Sequence, residues 1–216
     1  NFVIRNCNIS TSVSSIEQKK FYKYYKCNTY LFPNSLDFKR LKSIKAKKVK
    51  FIPKKFIIFS GSYDYNPNKK AIDFIIKKIL PSLEKKNIKL VLTGSHKKKF
   101  GFKNVHNLGF VSINQLKYLQ KKSICLIVPI FEGYGTRIKI LESLIWGNRI
   151  ISTSKGIEGI EYKNNRNILI CNEIKKMING VLKFSKSKKI FSYKKKYIKN
   201  FSMIENSKKL LKNIKK

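Results

Sequence analysis

The stretch Val128-Pro129-Ile130-Phe131-Glu132-Gly133-Tyr134-Gly135-Thr136-Arg137-Ile138-Lys139-Ile140-Leu141-Glu142 decides how the chain is read. The apolar run from Ile124 to Ile130 predicts a buried strand. Gly133 and Gly135 free the backbone of the next loop for close approach to a ligand. A helix is predicted from about Thr136, closed by a glycine cap at Trp146-Gly147. Its first turn offers unpaired N–H groups and the positive end of the helix dipole. Strand, glycine loop and helix N-terminus together make an anion site, most often for phosphate. Glu142 falls about two turns into that helix, with Arg137 and Lys139 nearer the loop.

Working outward, strands and helices alternate from Phe56 onward. Phe56 to Gly61 is a continuous apolar run, which suits a strand covered on both faces. A helix over about Asn68–Ile79 places Ala71, Ile72, Ile75, Ile76 and Ile79 on one face. Strands are predicted at Lys89–Thr93, Val105–Leu108, Arg149–Ser152 and Ile168–Cys171, and helices at about Ile113–Lys121 and Glu173–Phe184. That alternation specifies an α/β fold, a Rossmann-like parallel sheet with helices on both faces. Ligands of such sheets bind beyond the carboxyl ends of the strands. The loops at Gly61, Gly94, Gly109, Gly133–Gly135 and Gly156–Gly159 all follow strands, so they are expected to meet on one edge.

Ahead of this lies a strand–helix–strand unit over residues 8–37. Ser14 stands three residues before Glu17, a capping-box spacing. Residues 38–55 are lysine-rich and weakly patterned, and read as a linker. The expected division is 1–50 and 51–216. The last segment, about 187–213, predicts a lysine-rich amphipathic helix that packs back on the domain.

The formal charge of +38 over 216 residues raises the question of a nucleic-acid partner. Only five of the 49 basic residues are arginine: Arg5, Arg40, Arg137, Arg149 and Arg166. The lysines run from end to end, and Asn, Ile, Phe and Tyr are abundant with them. These are the residues that AT-rich codons specify, so compositional drift explains the charge better than arginine-based recognition does. Nucleic acid is therefore not the expected partner, although such a surface would be drawn to anionic lipid. Cys7, Cys27, Cys125 and Cys171 lack CxxC spacing and read as free thiols in a reducing cytoplasm. No run of about 18 apolar residues and no signal-peptide pattern is expected to divert the chain. It begins with Asn1, and a fragment of a longer protein is the expectation.

The strip Gly135-Thr136-Arg137-Ile138-Lys139-Ile140-Leu141-Glu142, then Gly147, then Ile151-Ser152-Thr153 and Gly156-Ile157-Glu158-Gly159, resembles the donor domain of family-4 (group 1) glycosyltransferases of the GT-B fold. Gly61-Ser62-Tyr63-Asp64-Tyr65-Asn66-Pro67-Asn68 is similar to a G-S-x-x-Y-x-P-N loop of one branch, and Gly109-Phe110-Val111 to its G-F-V turn. Pro33-Asn34 with Asp37 resembles the segment closing the family's N-terminal domain, Ser35 replacing a glycine. Each motif is weak alone; their common order makes the signal. The resemblance implies that residues 1–50 end an acceptor domain and that 51–216 bind a UDP- or GDP-type sugar. It implies transfer to a glycan or lipid-linked acceptor at the cytoplasmic face, with retention of configuration and without a metal. Donor-binding positions would be Gly61, Gly109, Phe110, Val111, Gly133, Tyr134, Gly135, Thr136, Arg137, Lys139 and Glu142. The diphosphate would meet Gly135-Thr136, the ribose Glu142, and the base the Gly109–Val111 turn.

Two departures stand out. Many members carry a second glutamate upstream of the helix glutamate; its position here is Tyr134, and Glu132 lies two residues earlier as the weak candidate for a catalytic or sugar-contacting acid. The usual arginine and lysine pair is replaced by Arg137 and Lys139. Asn66 and Asn68 read as turn and cap residues, His96 and His106 as non-catalytic, and Glu158 as either a ligand or a loop-ordering acid. A basic nucleic-acid-binding module, a sugar-nucleotide epimerase and a non-catalytic scaffold remain as rival readings.

Overall fold

Six parallel strands form the centre of the protein, in the order β5-β4-β3-β6-β7-β8. The computed structural model describes residues 6–95, 100–133, 135–160, 167–187 and 199–214. The strands are β3 (Phe56–Ser60), β4 (Lys89–Thr93), β5 (Val105–Asn107), β6 (Leu126–Val128), β7 (Ile150–Ser152) and β8 (Ile168–Ile170). β3 pairs with β4 from Phe56↔Lys89 to Ser60↔Thr93, and β6 with β7 from Leu126↔Ile150 to Val128↔Ser152. Every residue of β3, β6 and β7 is buried, as continuous apolar runs require when helices cover both faces.

The chain runs outward from β3 to β5, then returns to β6 and runs outward the other way. The switch therefore lies between β3 and β6, whose only paired register is Ile58↔Leu126. The loops leaving these two strands, at Gly61 and at 129–137, flank the crevice where an open α/β sheet takes its ligand.

The first helix after β3 is longer than expected. It opens as α3 (Asn66–Phe74), widens into a π segment (Ile75–Ile79) and continues as α4 (Leu80–Glu84). Pro81 lacks the N–H that a regular turn would use, and the widened turn lies just before it. Next come α5 (Ile113–Lys122) and α6 (Ile138–Ile145), then α7 (Ile174–Lys186). Ser112 and Gln115 close a full capping box on α5.

The N-terminal unit pairs β1 (Thr11–Ser12) with β2 (Tyr30–Leu31) in parallel around α1 (Ser15–Tyr25). The strands are shorter than the sequence suggests. Ser14 accepts from the Glu17 amide at 3.1 Å, while the Glu17 carboxylate accepts from the Val13 amide at 2.8 Å. Residues 38–55 are not a bare linker. Asp37 caps α2 (Phe38–Ser43), which buries Leu41. Lys117 donates to the carbonyls of Leu41, Lys42 and Ile44, and the Trp146 indole to that of Leu41. Lysine enrichment hid the helix, because contacts with distant residues hold it in place.

The C-terminal helix α8 spans Met203–Ile214, and the stretch 188–198 of the helix expected over about 187–213 lies outside the described residues. Leu36 bridges Ser202, and Asn206 donates to Ser35 at 2.7 Å, so the chain's end is stitched to its N-terminal unit.

Candidate functional site

The loop after β6 is shaped by its own arginine. The Arg137 guanidinium is buried and donates to the Gly135 carbonyl and, at 3.3 Å, to the Glu132 carbonyl. Gly133 and Gly135 stand at φ +91° and +84°, which side-chain-bearing residues rarely adopt. A Cβ on Gly133 would lie 3.2 Å from Pro67, and 3.5 Å from both the Arg137 guanidinium and the Tyr65 hydroxyl. Burial pushes the Arg137 pKa down, against the opposing pull of Tyr65 and Glu158. Arg137 is thus held by the loop backbone rather than standing as a plain surface cation.

Helix α6 begins at Ile138, two residues later than expected, with Arg137 as its extended N-cap residue. Lys139 leans from its first turn across the crevice to the β3 side. Its ammonium donates to Asn68 Oδ1 at 2.9 Å and lies 4.1 Å from the centroid of the Phe59 ring. Gly61, the residue after β3, makes this possible. A Cβ there would stand 2.7 Å from Asn68 Nδ2 and 2.8 Å from Lys139 Nζ. Burial, then repulsion from Arg137, lower the Lys139 pKa to about 7, against attraction from Glu142.

Glu142 follows one turn later, half-buried on a helix whose neighbours Ile140, Leu141 and Ser143 are buried. Burial raises its pKa to about 7, and Lys139 opposes the rise. A cation and a carboxylate, both with pKa values brought to about 7, thus stand one turn apart on a single helix.

The remaining glycine loops gather as expected. Gly94 donates its N–H to the Gly109 carbonyl at 2.8 Å, and a Cβ on Gly94 would meet the Gly61 carbonyl at 2.6 Å. Phe110 is 88% exposed at the β5 end of this row, and Val111 is half-buried. Thr136 is buried, with Oγ1 3.3 Å from where a Cβ on Gly159 would stand. Asn34 donates to the Thr136 carbonyl at 3.4 Å, bringing the N-terminal unit against the loop.

Other positions answer the sequence differently. Glu132 is tied to α3: its carboxylate accepts from Lys70 at 2.8 Å and Asn66 at 3.3 Å. Glu158 pairs with Lys155 in its own loop. Tyr134 and His96 lie outside the described residues. His106 is on β5, its pKa lowered by burial and by Lys89. The four cysteines are free thiols. The structure also brings Asn68 and Tyr65 to this loop cluster; both lie in the strip Gly61–Asn68, but from the sequence Asn68 reads as a turn or cap residue and Tyr65 has no assigned role.

Glycine loops on one edge, a basic loop at the sheet's switch point and a carboxylate on the following helix suit a phosphorylated, hydroxyl-bearing ligand. The family model for glycosyl transferases group 1 matches residues 54–187. The chain belongs to the group 1 glycosyl transferases. No curated protein sequence matches it. Solved structures share its fold at low identity. S. aureus TarM, solved with fondaparinux, alpha-GlcNAc-glycerol and UDP, is 14% identical with a TM-score of 0.70, over 99% of this chain and 45% of that one. Anabaena Alr3699/HepE, in complex with UDP and glucose, is 12% identical with a TM-score of 0.73, over 100% of this chain and 65% of that one. Sucrose-phosphate synthase from Thermosynechococcus elongatus is 12% identical with a TM-score of 0.68, over 99% and 59%. This group 1 chain therefore spans between 45% and 65% of the length of these three structures. Among the described residues no helix is long and apolar enough to cross a membrane.

Proposed function

We propose that this group 1 chain supplies the donor-binding part of a glycosyltransferase, which moves a sugar from a nucleotide diphosphate to a glycan or lipid-linked acceptor. The observation that carries the reading is the meeting of Lys139 with the Gly61 loop and of Arg137 with the Gly133–Gly135 loop at the β3/β6 switch point, with Glu142 one turn on from Lys139 and electrostatically coupled to it. The diphosphate lies against Gly135-Thr136 and the start of α6, where backbone N–H groups, the helix dipole and Lys139 offset its charge. Arg137 supports that loop and contributes long-range positive charge. Glu142 accepts the ribose hydroxyls, and the Gly109–Val111 turn takes the base. Glu132 is the weakest of these assignments, because Lys70 and Asn66 already engage its carboxylate.

In this reading the leaving diphosphate is stabilised by these side chains and the helix end, without a metal, and configuration is retained. Residues 1–50 close the acceptor part and 51–216 hold the donor. Acceptor binding and the remaining catalytic groups come from polypeptide of the acceptor half. The lysine-rich exterior favours association with anionic lipid at the cytoplasmic face, where lipid-linked acceptors are found.

Calorimetric titration of the chain with UDP, GDP and their sugar conjugates tests the proposal. The expected result is saturable binding to one nucleotide series, weakened roughly 10-fold or more by Glu142→Ala and by Lys139→Met. Binding to neither series, or binding indifferent to both substitutions, overturns it. A DNA affinity that persists at physiological salt would instead favour the nucleic-acid reading.

A further inference from the structure

Asn68 is buried in the first turn of α3, yet neither of its polar atoms is spent on capping that helix. Nδ2 donates to the Ser62 carbonyl at 3.0 Å, in the loop that leaves β3. Oδ1 accepts from Lys139 Nζ at 2.9 Å, across the crevice on α6. The two bonds fix the amide's orientation. Turned over, it would press an NH2 group against an ammonium and a carbonyl oxygen against a carbonyl. The room for the pair is reserved by Gly61, whose Cβ would collide with both partners. Phe59 walls the ammonium on another side.

An ammonium has three N–H donors. Among the described residues Asn68 is its hydrogen-bonding partner, which directs one donor toward α3. We propose that Asn68 is a positioning residue for the donor site: its amide pins the Lys139 ammonium beside Gly61 and turns the remaining N–H groups toward the donor diphosphate. This rests on the donor-site reading above and extends it to the far wall of the crevice. Without the acceptor, a long flexible lysine would be free to swing into solvent, and each donor encounter would have to order it again. The charges that face Lys139 are Arg137 from the loop and Glu142 from its own helix. Neither forms the hydrogen bond that Asn68 supplies.

Two measurements test the role. The first needs no ligand. The Lys139 side-chain resonances are followed through a pH titration in the wild type, Asn68→Leu and Asn68→Asp. Loss of the acceptor moves the Lys139 midpoint down, and a carboxylate in its place moves it up. A midpoint that stays put in both variants overturns the proposal. The second is a double-mutant cycle on UDP affinity with Asn68→Leu and Lys139→Met, with thermal melting used to verify that each variant is folded. Asn68→Leu alone weakens binding roughly 10-fold, and adds nothing once Lys139 is gone. An undiminished Asn68→Leu effect in the Lys139→Met background shows a merely structural role and overturns the proposal. A wild type that binds neither UDP nor GDP, while the Lys139 midpoint still follows residue 68, removes the donor reading and reduces the pair to architecture. That failure is distinguishable from a midpoint that ignores residue 68.

Discussion

Lys139 and Glu142 are two ordinary side chains whose protonation is changed by their surroundings. Lysine makes up most of this protein's charge, and side-chain type alone does not separate Lys139 from its many neighbours. Burial beside Arg137 brings its pKa to about 7, and burial brings that of Glu142 to about 7 from the other direction. The signs oppose. The cost of burying charged Lys139 is present below about pH 7 and fades as pH rises toward its ordinary value. The cost of burying charged Glu142 is absent at its ordinary pKa and grows as pH rises to about 7. At pH 8 Lys139 is mostly neutral, and a diphosphate placed against it favours the ammonium. UDP binding at pH 8 is therefore expected to take up roughly one proton, an uptake that falls as pH drops through about 7, where Glu142 and the terminal phosphate of UDP release protons instead, and that disappears in Lys139→Met. Calorimetry in Tris and HEPES, whose ionisation heats differ, measures it directly. Equal heats in the two buffers at pH 8 would contradict the assignment.

At the scale of elements, the clearest lesson is α2. Residues 38–55 offer little periodicity, so the sequence reads as a linker. The helix there is short and is held from outside. Lys117 reaches the carbonyls of Lys42 at 3.0 Å and Ile44 at 2.7 Å, and Trp146 that of Leu41 at 3.0 Å. Burial lowers the Lys117 pKa, with Lys121 adding to the effect. Lys117→Met keeps the length of the stem and removes the donor. The expected cost is about 1–3 kcal/mol, from carbonyls left without a partner. Thermal melting reads the loss, and faster amide exchange at Ile44 and Lys47 localises it. An unchanged melt with unchanged exchange would show that water replaces the ammonium at no cost. The β6–α6 connection was more legible, because an apolar run, two glycines and an apolar helix leave few alternatives. Its ends still moved, with the strand shortened to Leu126–Val128 and the helix delayed to Ile138. The guanidinium of Arg137, bonded to loop carbonyls, holds the backbone extended through the N-cap.

For the whole molecule, the charge of +38 is the governing quantity. It is spread along the chain, with only 11 acidic residues to offset it, so self-repulsion opposes the compact state. The screening length falls from about 30 Å at 0.01 M salt to about 10 Å at 0.1 M. The melting temperature is expected to rise by roughly 3–6 °C over that interval, measured by circular dichroism in sodium chloride. A flat response would show that the lysines repel less than their number implies. The same scale explains the join between the chain's two ends. Leu36 with Ser202, Ser35 with Asn206, and Tyr30 with the Asn213 carbonyl bind the terminal helix to the first unit. The sequence predicts a terminal helix that packs back on the domain, but not that its partner is the first unit.

Order along the chain was enough to establish the α/β class, the parallel sheet and the edge on which its glycine loops meet. Those follow from local rules: apolar runs of strand length, helical periodicity, and glycine where the backbone must turn. The family resemblance, carried by ordered motifs, also drew attention to Lys139 and Glu142. Which partner each side chain meets was settled by folding. It turned Arg137 onto its own loop, tied Glu132 to α3, and seated Lys139 on Asn68, 71 residues away along the chain. Burial, charge and hydrogen-bond geometry act through space, and no pattern along the chain records which distant partner will arrive.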